Sequence, residues 1–198
     1  IASKIEVDLI KRKIGRQDHY ATCYGGLNHI SFLKNETVKV CKVILSKKNK
    51  KKLESSLVLV YTNMKRNAEK VLSHQYKPNK NQSKYLINMK KDVEEFKKIL
   101  NKEKINIKEI GKFLTRQWDL KKNVNKISNR KIDKMYDKLM SQGAFGGKLL
   151  GAGQGGFLLL LSDKSVQRKI RNHFKLKNLV KVRFDNYGSQ LVYSSDNF

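Results

Sequence analysis

Cysteine and proline are scarce in this sequence, and no long apolar run is present. Two cysteines among 198 residues, with no C-x-x-C pair and no cysteine and histidine cluster, disfavour a disulfide scaffold or a structural zinc site and predict a reducing cytoplasm. The four histidines are scattered, so we expect no metal site. No apolar run approaches the roughly 20 residues that cross a bilayer, so we expect no membrane partner.

Acidic residues are also few, and the resulting basic charge admits more than one interpretation. The chain has 44 lysines and arginines against 17 acidic residues, a net charge of +27. Such a balance is typical of nucleic-acid binding or of a solvated surface enriched in lysine. The lysines are spread along the chain, and the run K-K-N-K-K-K at residues 47–52 contains no aromatic residue for base stacking. We therefore predict a solvated loop there and expect no nucleic-acid partner.

Glycine, in contrast, is concentrated in one segment. Residues 143–156 contain seven of the twelve glycines, and Lys148 is the single charge between residues 142 and 162. Glycine at this density indicates either a tight loop on which a helix packs closely or a loop that cradles a ligand. The segment is neither a Walker A loop nor a dinucleotide fingerprint, because it precedes an apolar strand instead of opening a helix.

The spacing of apolar residues predicts an α+β fold with helices layered on one face of a mostly antiparallel sheet. The predicted helices cover residues 1–10, 66–74, 85–100, 106–122, 128–140 and 164–174, with a polar linker at 77–83. A hairpin is predicted over residues 27–33 and 37–44, and further strands over 56–61, 157–161, 179–184 and 189–193.

Two strings of residues carry a family resemblance. The string G-A-F-G-G-K-L-L-G-A-G-Q-G-G-F-L-L-L-L resembles the third conserved motif of the GHMP kinases, the superfamily of galactose, homoserine, mevalonate and phosphomevalonate kinases. The string I-G-R-Q-D-H-Y-A, followed by Y-G-G-L-N, resembles the segment around the catalytic aspartate of the sugar-phosphate branch, notably the D-glycero-D-manno-heptose 7-phosphate kinases. The strings Y-T-N-M-K-R, W-D-L-K-K and R-F-D-N-Y-G-S follow in the order that this branch implies.

This resemblance implies a domain organisation and an activity. Residues 56–198 would form the ferredoxin-like GHMP kinase C-terminal domain, preceded in residues 1–55 by the tail of the N-terminal catalytic domain. The activity would be phosphoryl transfer from ATP, with Mg²⁺, to a sugar or sugar phosphate. Asp18 would be the base that deprotonates the attacking hydroxyl, and Arg16 would neutralise charge on the transferred group.

The resemblance also implies the residues that bind substrate or phosphate. They are Gln17, His19, Arg66, Gly147, Lys148, Gly151, Ala152, Gly153, Gly155 and Gly156. Two of these residues have an alternative interpretation. Lys148 faces an anion or extends to the surface, and Arg66 binds a sugar phosphate or is a surface charge.

One motif of the family is missing from these residues. GHMP kinases carry a P-x-G-L-G-S-S-type loop whose backbone amides hold the ATP phosphates at the start of a helix. The resemblance places that loop, and most Mg²⁺ ligands, upstream of Ile1, so we expect little kinase activity from this fragment alone. The alternative is a non-catalytic remnant or subunit that binds a sugar phosphate or complements a separate nucleotide-binding chain. A basic nucleic-acid-binding protein is the weakest alternative.

Overall fold

Two compact units divide the chain, one formed by Ile1–Ile44 with Arg183–Phe198 and the other by Leu45–Val182. The computed structural model describes residues 1–65, 67, 71, 82–124, 127–174 and 179–192. Most of the helix predicted over residues 66–74 and most of the linker at 77–83 lie outside these residues. None of the helices in the described part is long and apolar enough to cross a membrane. The domain boundary after residue 55 stays a prediction.

The first unit contains a hairpin and two short helical segments. The helix predicted near the start is π-helical over Lys4–Leu9. Helix α1, Gln17–Tyr24, was not predicted. Strands β1, Asn28–Phe32, and β2, Val38–Lys42, pair in antiparallel register and confirm the predicted hairpin.

The second unit contains the remaining described elements. They are α2 (Lys47–Ser56), β3 (Leu57–Tyr61), α3 (Gln82–Leu100), α4 (Ile107–Val124), α5 (Arg130–Ser141), β4 (Gly146–Leu149), β5 (Phe157–Leu161), α6 (Lys164–His173) and β6 (Leu179–Lys181). The sheet order is β4-β5-β3-β6, and every neighbouring pair is antiparallel. This order is that of a ferredoxin-like sheet, which confirms the predicted α+β class.

The central strands bury one face of the sheet completely. Val58 lies opposite Leu160, and Val60 lies opposite Leu158. All four side chains have no solvent exposure, because alternate residues of a strand point to the same face. Their neighbours in the core come from α4, α5, α6 and β4: Trp118, Ile132, Tyr136, Leu139, Leu149, Val166 and Ile170. The helices therefore cover this face, as predicted.

The lysine-rich run at residues 47–52 is helical, so the predicted loop is wrong. The Ser46 side chain accepts a hydrogen bond from the Asn49 amide at 3.2 Å and caps α2. Asn49 itself is buried, and its amide nitrogen donates to the carbonyl oxygens of Lys102 and Glu103 at 3.2 and 3.0 Å. One cap and one buried polar side chain thus organise a helix in which Lys47, Lys48 and Lys51 are exposed, while the Lys52 ammonium donates to the Ile105 carbonyl oxygen at 2.7 Å.

Two strand predictions near the C-terminus are also wrong in extent. The strand predicted over residues 179–184 ends at Lys181, and residues 189–192 form no strand. The Ser189 amide donates to the Cys23 carbonyl oxygen at 3.1 Å. The backbone at Ser189 packs on the end of α1, so the Ser189 amide is not available to a neighbouring strand.

Strand β4 was missed because it lies inside the glycine segment, and it is an edge of the sheet. Two side chains from the helices satisfy its outer peptide groups. The Gly147 amide donates to Thr115 Oγ1 at 3.3 Å, and the Tyr136 hydroxyl donates to the Gly147 carbonyl oxygen at 3.0 Å. The two hydroxyls are 2.9 Å apart, which closes the network. It blocks an edge that would otherwise offer unpaired groups to other chains.

We predict that Tyr136→Phe destabilises the second unit. The substitution keeps the buried ring but leaves the Gly147 carbonyl oxygen without its donor, at an expected cost of about 1 to 3 kcal/mol. Urea unfolding followed by circular dichroism measures this change. Tyr187, with 76% exposure, provides the control, because Tyr187→Phe removes a hydroxyl from the surface. Equal stability of the two variants would contradict the role of the network.

Candidate functional site

The predicted base, Asp18, lies in the first turn of α1. Its side chain is exposed, and its carboxylate is 3.5 Å from the Gln17 side-chain amide. Negative charge is favoured at this position because the free amides at a helix N-terminus carry partial positive charge. Thr22 Oγ1 donates to the Asp18 carbonyl oxygen at 2.8 Å. The helix thus presents an accessible carboxylate that can accept a proton.

The two basic residues beside Asp18 bind carboxylates from the π-helical segment. Arg16 donates to Asp8 at 2.5 Å, and His19 Nε2 lies 3.0 Å from a carboxylate oxygen of Glu6. The hydrogen bond with His19 is the largest cause of a lowered pKa for Glu6. Sequence reasoning missed Asp8 and Glu6, because acidic residues eight and thirteen positions away show no motif spacing.

The turn after α1 packs against the last described part of the chain. A Cβ added at Gly25 would lie 2.4 Å from the Gly188 backbone nitrogen, and one added at Gly188 would lie 2.3 Å from the Cys23 carbonyl oxygen. Gly26 donates to the Asp185 carbonyl oxygen at 2.5 Å. Two strings of the family resemblance, Y-G-G-L-N and R-F-D-N-Y-G-S, therefore meet in the first unit.

In the second unit, the glycine segment runs from β4 into a loop over residues 150–156. Backbone hydrogen bonds hold this loop at several points. Gln154 donates to the Ile127 carbonyl oxygen at 2.7 Å, and Gly156 donates to that of Met64 at 3.1 Å. The Gly156 carbonyl oxygen accepts from both the amide and the hydroxyl of Thr62, each at 2.9 Å. The loop is therefore tied to the end of β3.

Close backbone contact explains the glycines at two predicted site positions of the loop. A Cβ at Gly153 would lie 2.6 Å from the Ile127 carbonyl oxygen, and one at Gly155 would lie 2.5 Å from the Met64 carbonyl oxygen. Gly153 also has a φ of +105°, which side chains rarely adopt. The structure thus shows the packing interpretation for these glycines, and ligand contact by the same loop stays a prediction.

The other predicted residues of this segment have different environments. In β4, a Cβ at Gly147 would lie 2.3 Å from the Leu159 carbonyl oxygen. Lys148 is half-buried, and desolvation lowers the pKa of its ammonium group. In the loop, the Gly151 carbonyl oxygen accepts from the Lys121 ammonium at 2.6 Å, and Ala152 is buried. Lys148 therefore does not extend freely into solvent.

Arg66 lies outside the described residues, and its predicted role in phosphate binding stays a prediction. Arg16, Gln17, Asp18 and His19 belong to the first unit, and the remaining predicted residues belong to the second. In the part of the chain that the structure describes, no three histidine, cysteine or acidic side chains are grouped so as to hold a metal ion.

The family model for the C-terminal domain of GHMP kinases matches residues 86–178. This part of the chain belongs to the GHMP kinases. The match runs from within α3 through α6 and includes the whole glycine segment, which confirms the resemblance drawn from the sequence. Asp18 and its neighbours lie outside the matched residues, so their roles are proposals.

A curated relative gives a more specific comparison. The D-glycero-alpha-D-manno-heptose 7-phosphate kinase of Campylobacter jejuni is 31% identical to this chain over 150 residues. The aligned part covers 75% of this chain and 44% of the relative. The chain thus spans less than half the length of the relative that it matches.

Two solved structures of GHMP kinases share the fold. A D-glycero-D-manno-heptose 1-phosphate kinase from Bacteroides thetaiotaomicron matches with a TM-score of 0.61 and 23% identity, over 98% of this chain and 54% of the other. The L. major mevalonate kinase in complex with R-mevalonate matches with a TM-score of 0.66 and 21% identity, over 81% and 48% of the two chains. At these identities the likeness establishes the fold alone.

We predict that Gly155→Ala destabilises the second unit by about 1 to 3 kcal/mol, because the added methyl group overpacks the contact with the Met64 backbone. Gly15→Ala is the matched control, because a Cβ at Gly15 meets nothing within 4 Å. Thermal unfolding of both variants measures the difference. Unchanged stability of Gly155→Ala would show that this glycine is not required for packing.

Proposed function

We propose that this protein transfers the γ-phosphoryl group of ATP to a hydroxyl of a sugar or sugar phosphate, with Asp18 as the base. One observation carries the proposal. Among the described residues, the basic residues beside Asp18 contact other acids: Arg16 forms an ion pair with Asp8, and His19 shares a hydrogen bond with Glu6. The Asp18 carboxylate therefore stays exposed and able to accept a proton.

The acceptor we propose is a heptose 7-phosphate, phosphorylated at its 1-hydroxyl. The support is the curated relative of 31% identity, which is named as a D-glycero-alpha-D-manno-heptose 7-phosphate kinase. In the reaction, the hydroxyl proton passes to an Asp18 carboxylate oxygen as the hydroxyl oxygen bonds to the γ-phosphorus, and ADP leaves with the electrons of the broken bond. The product is a sugar bisphosphate.

Each unit, taken by itself, has a charged side chain that can contact a phosphate. Arg16 is partly exposed, and its guanidinium has five N–H donors, of which the bond with Asp8 uses one. The remaining donors can contact phosphoryl oxygens. No described carboxylate lies within ion-pair distance of Lys148, and a half-buried ammonium without an acid partner favours an anion. We therefore assign phosphate contacts to both residues.

The resemblance to GHMP kinases implies that this protein would use Mg²⁺ with ATP. The described residues do not provide a grouped set of acidic ligands for it. No step of the proposed reaction is assigned to the ion, and the location of its ligands stays a prediction.

We predict that Asp18→Asn lowers kcat by about 10² to 10⁴, the usual contribution of a positioned base. The assay measures ADP release by the natural full-length protein with ATP, Mg²⁺ and D-glycero-D-manno-heptose 7-phosphate, and phosphorus NMR identifies the product. Asp137, an exposed acid on α5, gives the control variant Asp137→Asn, which should keep full activity. Full activity of Asp18→Asn would overturn the assignment of the base.

A second candidate function is complementation of a separate nucleotide-binding chain. The observation that favours it is the apolar surface of the first unit, where Leu9, Ile10, Phe32 and Ile44 are 68%, 61%, 48% and 86% exposed. A continuous patch of exposed apolar side chains is typical of a surface that another polypeptide covers, and complementation requires these four side chains to form one.

The two candidate functions differ in the behaviour of the natural protein. Under complementation, the natural protein alone releases no ADP but gains activity when about the first 200 residues of a related kinase, the size of one further domain, are added in trans. To test this, the two polypeptides are mixed, aggregates are removed by size-exclusion chromatography, and ADP release by the mixture is measured. Activity of the natural protein without any addition would contradict complementation.

A further inference from the structure

The π-helical segment Lys4–Leu9 contacts α1 through two acidic side chains. Asp8 binds Arg16, and Glu6 binds His19. Arg16 precedes α1 and His19 is its third residue, so the two contacts lie on either side of Asp18 in the sequence. We propose, on the basis of the proposed kinase function, that Asp8 is a positioning residue that holds Arg16 away from Asp18, and that Glu6 is a positioning residue that fixes the hydrogen of the His19 ring.

Asp8 controls where the nearest guanidinium binds. Arg16 is two residues from Asp18 and donates to Asp8 at 2.5 Å, whereas no nitrogen of Arg16 is within ion-pair distance of Asp18. A guanidinium can bind both oxygens of a carboxylate. Such a contact would occupy the base and favour its ionised form, which lowers its affinity for a proton. By binding Arg16, Asp8 leaves the Asp18 oxygens available to the acceptor hydroxyl.

Glu6 controls the protonation pattern of the His19 ring. Glu6 also accepts from Arg12 at 3.1 Å, and both partners favour its ionised form, which only accepts hydrogen bonds. The hydrogen shared with His19 therefore belongs to Nε2. The Nδ1 atom is buried and has no hydrogen-bond partner among the described residues. In the neutral ring, the contact with Glu6 therefore selects the tautomer with its hydrogen on Nε2.

These contacts suit a positioning role better than a stabilising one. The side chains of Arg16 and Asp8 are 28% and 41% exposed, and those of His19 and Glu6 are 16% and 35% exposed. Ion pairs with this much solvent contact contribute little to stability. Loss of one acid should therefore leave the fold intact while it releases a cation beside the base.

Steady-state kinetics of the natural full-length protein tests the role of Asp8. With heptose 7-phosphate and ATP, Asp8→Asn should lower kcat by about tenfold or more with a smaller change in KM, because the base is obstructed and substrate binding is not. Asp8→Glu should recover part of kcat. Lys102→Gln breaks an exposed ion pair with Glu109 in the second unit and should stay within about twofold of the wild type. Wild-type kcat for Asp8→Asn overturns the role of Asp8.

Nitrogen-15 NMR of the histidine rings tests the role of Glu6 without any assay of activity. In the wild type, the signals of the neutral His19 ring should show its hydrogen on Nε2, and Glu6→Ala should shift them towards a mixture of the two neutral forms. Unchanged signals in Glu6→Ala, or a hydrogen on Nδ1 of the neutral wild-type ring, overturn the role of Glu6. Absence of ADP release by the wild type would instead refute the proposed function, while the NMR result still decides the contact.

Discussion

The close approach of the Gly111 backbone in α4 to the Gly146 backbone in β4 is the constraint on which the architecture of the second unit depends. A Cβ at Gly146 would lie 1.9 Å from the Gly111 carbonyl oxygen, so no side chain fits at Gly146 with the helix at this distance. This approach brings Thr115 and Tyr136 within hydrogen-bond distance of Gly147. Strand β4 is thereby fixed at the sheet edge, and the loop that follows it starts from a defined position.

The candidate site of the first unit has a different basis, because charges rather than close packing organise it. Asp8 and Glu6 lie on a short π-helical segment and bind the two cations that flank Asp18. The exposure of these pairs keeps their contribution to stability small. They determine which carboxylate Arg16 and His19 contact. The Asp18 carboxylate is exposed beside these contacts, and its role as the base stays a proposal.

Whether a helix or strand could be predicted from the sequence depended on the interactions that form it. Strands β3 and β5 and helices α3 to α6 were predicted because local apolar spacing is sufficient to mark a buried face. Helix α2 was missed because its start depends on the Ser46 cap and on the buried Asn49 side chain, which binds backbone more than 50 residues away. Strand β4 was missed because glycine has low strand propensity. The contacts of Asp8 and Glu6 were missed because these acids have no regular spacing from Arg16 and His19 in the sequence.

The sequence by itself determined the family, the α+β class and the candidate base, because conserved strings and apolar periodicity are local properties of the chain. Only the tertiary structure decided why the glycine segment contains so much glycine. Gly147, Gly153 and Gly155 lie against backbone carbonyl oxygens of Leu159, Ile127 and Met64, and no Cβ fits at those distances. Composition could not separate this packing from ligand binding, because both need a backbone without a side chain, and only the neighbouring atoms distinguish them.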